Sequence, residues 1–318
     1  MMTAVQAAMP RMPYTAKEAD WLVARESVDS TNFVARRMIE EGRLMPRQDD
    51  RLPIMAVAAD TQTSGHGRLG REWVNIPGES FTVSFATVLP RALATDESVN
   101  GWIQMAAGLA SLDSIRSALE EVGSQSIKPD CSLALKWPND IFCHGLKLGG
   151  ILCELVPLPH TGDAAACNGA ESVVDAAGLA PVSDADRADY IGVVFGIGLN
   201  LAVRAEHLPT PDSTSLQLHR AGLRDARVMR DLIAAGIVGS LRKRLQLLVD
   251  DAPGQCAALL KETRAECWTL GRRVEARLAS GGTVCGMALA LNPDASLSVR
   301  DDAGKIRIVH TGDVGVLS

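Results

Sequence analysis

Residues 60–73, Asp-Thr-Gln-Thr-Ser-Gly-His-Gly-Arg-Leu-Gly-Arg-Glu-Trp, concentrate groups that can do chemistry. Gly65, Gly67 and Gly70 let the backbone approach a ligand closely and reach positive φ. His66, Arg68 and Arg71 stand between and after them. Guanidinium groups offer forked donors that match phosphate and carboxylate, so this loop suits an anion, most simply a phosphate chain. The spacing also matches Gly-x-Gly-x-x-Gly and nearly matches a P-loop. Both motifs need a helix opening at the last glycine. Here Pro77 and Gly78 would close it early, residues 81–89 alternate as a strand, and the P-loop Lys-Ser/Thr pair is replaced by Arg71 and Glu72. Both are therefore rejected. A surface hairpin that needs turn glycines remains the plain alternative.

A second informative stretch runs from Leu133 to Leu155 through Lys136-Trp-Pro-Asn-Asp140 and Lys147-Leu-Gly149-Gly150. It reads as strand, turn, short strand, His-Gly hairpin and long apolar strand. A lysine in so apolar a run is either a site residue or a snorkelling stem, and the stretch alone does not choose between them. Asp29-Ser30-Thr31-Asn32 precedes Phe33, Val34, Met38 and Ile39 at helical spacing. By spacing alone those polar residues read as a helix cap.

The remaining elements must position these residues. Residues 21–28, 54–59, 81–89 and 190–201 read as strands, the last with glycines where a backbone or ligand comes close. Residues 98–122 set Trp102, Met105, Ala106, Leu109, Leu112, Ile115 and Leu119 on one helical face that ends at Gly123. Helices follow at 226–249 and 252–267. From Gly271 onward, short alternating runs between Gly, Asn-Pro-Asp and Asp-Asp-Ala-Gly turns suggest a small β-barrel of about fifty residues. Residues 1–20 read as a loose tail and 157–189 as a long flexible insertion.

Composition narrows the class. A chain of 318 residues suits a large domain plus a small one, and 47% apolar content supports a packed core. A net charge of −6 gives no general attraction to DNA. Seven scattered cysteines without Cys-x-x-Cys point to a reducing, cytoplasmic setting. The six histidines form no His-x-x-x-His pair. There is no signal-peptide pattern and no apolar run of about 20 residues that would span a membrane.

Five motifs in order, Asp29-Ser-Thr-Asn32, Gln62-x-x-Gly-x-Gly-Arg-x-Gly-Arg71, Lys136-Trp-Pro-Asn-Asp140, Lys147-x-Gly-Gly-Ile-Leu-x-Glu154 and Gly196-x-Gly-x-Asn200, resemble the biotin–protein ligases. The resemblance covers about residues 21–318. It implies an α+β fold: a catalytic domain over 21–268 related to class II aminoacyl-tRNA synthetases, with a mixed, largely antiparallel sheet, and an SH3-like domain over 269–318. The resemblance is to the family's short form, which would lack an N-terminal DNA-binding domain. Two features depart from the family: His66 replaces its usual arginine, and 157–189 is longer than its usual connection.

The resemblance implies two steps. The carboxylate of biotin attacks the α-phosphate of Mg-ATP to give biotinyl-5′-AMP. A lysine of a biotin carboxyl carrier domain then takes the biotin. Lys147, Arg68 and Asp140 carry the catalytic expectation: Lys147 on the carboxylate and α-phosphate, Arg68 with Gly67 on the adenylate phosphate, and Asp140 on Mg2+ or the incoming amine. Ser30, Thr31, Asn32 and Gln62 would read the ureido ring. His66 and Gly149 join the biotin site, where Gly149, Gly150 and Gly198 leave room for the ring. Arg71, Trp73, Asn139 and Asn200 would serve the nucleotide, with Asn200 on adenine. A homodimer through a sheet edge is a further implication. The alternatives are a lipoate–protein ligase of the same fold and a non-catalytic biotin-sensing regulator.

Overall fold

The computed structural model describes residues 9–47, 49–128, 132–159, 187–278, 281–310 and 312–316. In chain order the elements are α1 (Pro13–Glu18), β1 (Trp21–Val28), α2 (Thr31–Glu40), β2 (Met55–Gln62), β3 (Ser80–Pro90), α3 (Arg91–Thr95), α4 (Asn100–Glu121), β4 (Gln125–Ser126), β5 (Leu133–Lys136), β6 (Asp140–Cys143), β7 (Leu146–Pro157) and β8 (Tyr190–Asn200). There follow β9 (Arg220–Ala221), α5 (Ala226–Asp250), α6 (Ala252–Glu266), β10 (Arg273–Leu278), β11 (Thr283–Leu291), β12 (Leu297–Asp301), β13 (Ile306–Val309) and β14 (Gly312–Val316).

Seven strands form one sheet in the order β1-β2-β3-β8-β7-β6-β5. Only β1 and β2 run parallel; every other neighbour is antiparallel. Side chains alternate between faces, and the apolar pattern assigns each face a partner. Phe81, Val83, Phe85, Val193, Phe195 and Ile197 point into the larger core with α4 and α5. Ala86, Val88, Val156 and Val194 point the other way, against Ala35, Met38 and Ile39 of α2. Helix α2 is short, so it covers only part of that second face. The sheet beyond its N-terminus becomes the floor of a cleft.

The second sheet is antiparallel, in the order β13-β12-β11-β10-β14. Its Val274, Ala276, Ala288, Leu297 and Val299 join the larger core. Indole N–H groups tie it to the first unit: Trp102 donates to the Pro293 carbonyl at 2.6 Å and Trp137 to the Ala295 carbonyl at 2.9 Å. Four of its strands match the alternating runs of the sequence; β14 is an addition. Among the described residues no helix is long and apolar enough to cross a membrane.

The expected loose tail needs correction beyond residue 8. Met12 and Thr15 are buried, and α1 lies against α5. The Thr15 hydroxyl and amide both donate to Asp231 at 2.8 Å, and the Tyr14 amide reaches the other carboxylate oxygen at 3.0 Å. Asp231 thus caps the incoming segment from 216 residues away. Thr15→Val keeps the shape but removes the hydroxyl from a buried carboxylate. It should lower stability by about 1–2 kcal/mol, measured by urea unfolding. Of the long insertion, residues 160–186 lie outside the described residues.

Candidate active site

The glycine loop is a miniature hairpin. His66 bridges Glu72, the Gly67 amide donates to the Arg71 carbonyl at 2.7 Å, and the Trp73 amide to the Gly65 carbonyl at 2.9 Å. Its tip turns through Leu69 at φ 56° and Gly70 at φ 71°. Leu69 is a non-glycine residue in the left-handed region and is 64% exposed, a strained arrangement for an apolar side chain.

The base of the hairpin is fastened by buried polar groups. Asp60, fully buried, accepts from Arg230 at 2.8 Å and from the Gly78 amide at 3.0 Å. Its carbonyl accepts from Asn75 at 2.9 Å, and Asn75 accepts in turn from the Gln62 amide at 2.9 Å. Both ends of the loop therefore meet at one carboxylate.

The hairpin roofs a cleft whose floor is the uncovered face of β3, β8 and β7. At one end the Gln62 side-chain oxygen accepts from the Thr31 amide at 2.7 Å and the Thr31 hydroxyl at 3.0 Å. Ser84 Oγ lies 2.7 Å from Thr31 Oγ1 and donates to Asn32 Oδ1 at 2.6 Å. Asn32 Nδ2 donates to Glu154 at 2.6 Å. A carboxylate only accepts, so Glu154 fixes which end of the Asn32 amide carries the donors. Ser30 occupies the N-cap of α2 but makes no side-chain cap bond, so the plain-cap reading does not describe its hydroxyl.

At the other end the charges gather. Lys147 Nζ stands 2.7 Å from Asp140 Oδ1, and Lys136 Nζ is 3.3 Å from Asp140 Oδ2. Arg68 reaches across the cleft to Asn139 Oδ1 at 3.0 Å, and Asn139 donates back to the Ile151 carbonyl at 3.0 Å. Lys147 is placed by backbone as well as strand pairing: its amide donates to the Asp212 carbonyl and its carbonyl accepts from Thr214, both at 2.8 Å.

Ser30, Thr31, Asn32, Gln62, His66, Gly67, Arg68, Arg71, Trp73, Asn139, Asp140 and Lys147 all line this one cleft. Two expected residues do not. Gly149 points to the opposite face from Gly150, where a Cβ would meet the Gly198 carbonyl and Leu199; its smallness serves strand packing. Asn200 is buried with its amide donated to the Thr214 carbonyl at 2.9 Å. Glycines do open the floor at 196 and 198, where a Cβ would strike Asn32 and the Trp73 ring respectively. Ser84, Thr82 and the anchoring role of Glu154 escape a reading by motif. The only signal of Ser84 and Thr82 is a polar residue at alternate positions of a strand otherwise buried on both faces.

Asp140 does not present a ready metal ligand. Each of its oxygens faces an ammonium group, and among the described residues no group of three His, Cys, Asp or Glu side chains is placed to hold an ion. Two buried polar atoms in the cleft, Trp73 Nε1 and Thr82 Oγ1, have no partner among the described residues. Unpaired buried donors of this kind mark a place for a ligand atom.

Behind Lys147, the Thr214 hydroxyl lies 2.6 Å from His219 Nε2. Burial, then the neighbouring His144, Lys128 and Arg220, hold the His219 imidazole below the ordinary histidine range. The fold thus favours the neutral ring. Its contribution is complete above about pH 6.5 and falls away as the pH drops below that. Unfolding measured from pH 7.5 to 5 should show this loss, and His219→Gln should reduce it.

Residues 37–167 match the model of the Biotin/lipoate A/B protein ligase family. The chain is 30% identical over 260 residues to a biotin–[acetyl-CoA-carboxylase] ligase of Mycobacterium tuberculosis, covering 82% of this chain and 78% of that protein. It is 27% identical over 194 residues to the bifunctional ligase/repressor BirA of Escherichia coli, covering 60% of this chain and 46% of that protein. A biotin protein ligase of Aquifex aeolicus, solved in complex with biotin and ATP, superposes with a TM-score of 0.59 at 18% identity over 92% of this chain and 96% of that one, which shows a shared fold. With the extent of the mycobacterial match, the chain belongs to the biotin–protein ligases of the biotin/lipoate A/B protein ligase family.

Proposed function

We propose that this chain activates biotin with ATP as biotinyl-5′-AMP and transfers the biotin to a lysine of a biotin carboxyl carrier domain. One observation carries the reading: a neutral hydrogen-bonding end and a cationic end share a single cleft under a glycine–arginine roof. That matches an acid with a polar uncharged head, an apolar middle and a carboxylate tail. The named relatives support the same assignment.

The ureido ring lies against Ser30, Thr31, Asn32 and Gln62. Glu154 and Ser84 hold the Asn32 amide in one orientation. The carboxylate meets Lys147, where the α-phosphate must also arrive. Two anions repel, so cations fixed before the reaction lower the barrier most where charge accumulates. Lys147 and Arg68 supply them, and Asp140 holds the Lys147 ammonium in place until the phosphate takes it. Arg71 completes the nucleotide side of the roof, and Trp73 borders it while the N–H edge of its indole lies over Gly198 on the floor. Magnesium arrives with ATP as part of the substrate; among the described residues no group of three His, Cys, Asp or Glu side chains makes a resident metal site.

The first sheet with its helices forms a class II synthetase-like catalytic unit over about 21–268, and 269–318 forms an SH3-like unit. Among the described residues β7 pairs only with β8 from Cys153 to Pro157, an edge along which the carrier or a second copy of the chain can dock.

The test is transfer of label. The purified chain should biotinylate a carrier domain only when both biotin and ATP are present, and lipoate should not replace biotin. Absence of this labelling, or equal use of lipoate, would sink the assignment.

A further inference from the structure

The floor of the cleft is laid out in two rows. In the first, Ser84, Gly196 and Leu152 lie in register across β3, β8 and β7. Here the hydrogen-bond chain from Gln62 to Glu154 crosses the sheet. The second row, two residues and about 7 Å along, is Thr82, Gly198 and Gly150. It borders the cationic end, because a Cβ on Gly150 would stand 3.7 Å from Lys147 Nζ.

Thr82 is 2% exposed, lines the cleft, and its hydroxyl has no partner among the described residues. Trp73 lies over Gly198, the register partner of Thr82, and its indole N–H is also buried and unpaired. Thr61 and Thr87 carry unpaired buried hydroxyls too, but neither lines the cleft. Two unsatisfied donors thus stand side by side in the middle of the site, between the row assigned to the ureido ring and the lysine assigned to the carboxylate. An unpaired donor in a dry place is unfavourable unless a ligand supplies an acceptor.

Biotin has one heteroatom between its ureido group and its carboxylate, the ring sulfur; everything else there is hydrocarbon. A thioether sulfur is a weak acceptor. We propose that the Thr82 hydroxyl donates to the ring sulfur of biotin, with the Trp73 indole N–H as a second donor, so that this chain selects biotin over sulfur-free analogues. The inference rests on biotin being the acid bound.

Thr82→Val preserves shape and removes the donor; Thr82→Ser restores it. Biotin and desthiobiotin, which lacks the sulfur, are titrated calorimetrically into the wild-type chain and both variants. Thr82→Val should weaken biotin about three- to tenfold, the size of one modest hydrogen bond. Desthiobiotin should change less than about twofold, and Thr82→Ser should recover most of the biotin affinity. Trp73→Phe should show the same selective loss. Equal weakening of both ligands by Thr82→Val, or none for biotin, overturns the role of Thr82 while leaving biotin as the substrate. A wild-type chain that binds neither ligand overturns the substrate assignment, and this inference with it.

Discussion

Lys147→Ala should abolish formation of the acyl-adenylate while leaving the protein folded. The lysine lies on β7, where its amide and carbonyl pair with Asp212 and Thr214. Neither bond needs the side chain. Asp140 keeps Lys136 at 3.3 Å after the truncation, so the carboxylate is not stranded. What disappears is the ammonium group that, in the proposed reaction, the carboxylate and the α-phosphate share. Removing one such preorganised donor typically costs about 10²–10³ in rate, and this one bears a full charge, so the loss should lie at or above that range. Biotin-dependent exchange of labelled pyrophosphate into ATP measures this half-reaction alone. Transfer from chemically made biotinyl-AMP to a carrier should fall much less, since the anhydride is already formed. Near-normal exchange in the variant, with an unchanged melting temperature, would remove Lys147 from the reaction.

The parts of the site legible in the sequence are those where chemistry interrupts an apolar pattern. Lys147 breaks a long strand, and three glycines with two arginines break the path between β2 and β3. Both leave marks that short-range rules detect. Parity is harder. Gly149 and Gly150 are adjacent, yet only Gly150 faces the cleft, because a one-residue shift in a strand exchanges faces and the β6–β7 register slips just there. Long-range polar contacts are harder still. Nothing near Asp60 announces Arg230, nor anything near Thr15 announces Asp231; these pairs exist only once α5 lies along the sheet. Thr82 and Ser84 look like the solvent side of a half-buried strand, whereas β3 is buried on both faces. Strand β14, Gly-Asp-Val-Gly-Val, is too rich in glycine to signal a strand.

Arg68→Gly should convert a chain that keeps its adenylate into one that releases it. Arg68 is the side chain that carries the roof across to the opposite wall, through Asn139 at 3.0 Å. The loop tip beside it is otherwise poorly secured: Leu69 sits at φ 56° and is largely exposed. Without Arg68 the hairpin retains its own backbone bonds and its fastening at Asp60, so it should still form. It would lose both the bridge to Asn139 and the cation proposed to face the phosphate. A charge-assisted hydrogen bond contributes about 1.5–3 kcal/mol, so release of biotinyl-AMP should accelerate about 10- to 150-fold. The freed anhydride reacts with any accessible amine. The variant should therefore label bystander proteins added to the assay, which the wild-type chain should leave untouched. Stopped-flow dissociation of the adenylate and counting of biotin on albumin read the two consequences separately. An adenylate held as tightly as in the wild type, with albumin unlabelled, would show that the roof closes without Arg68.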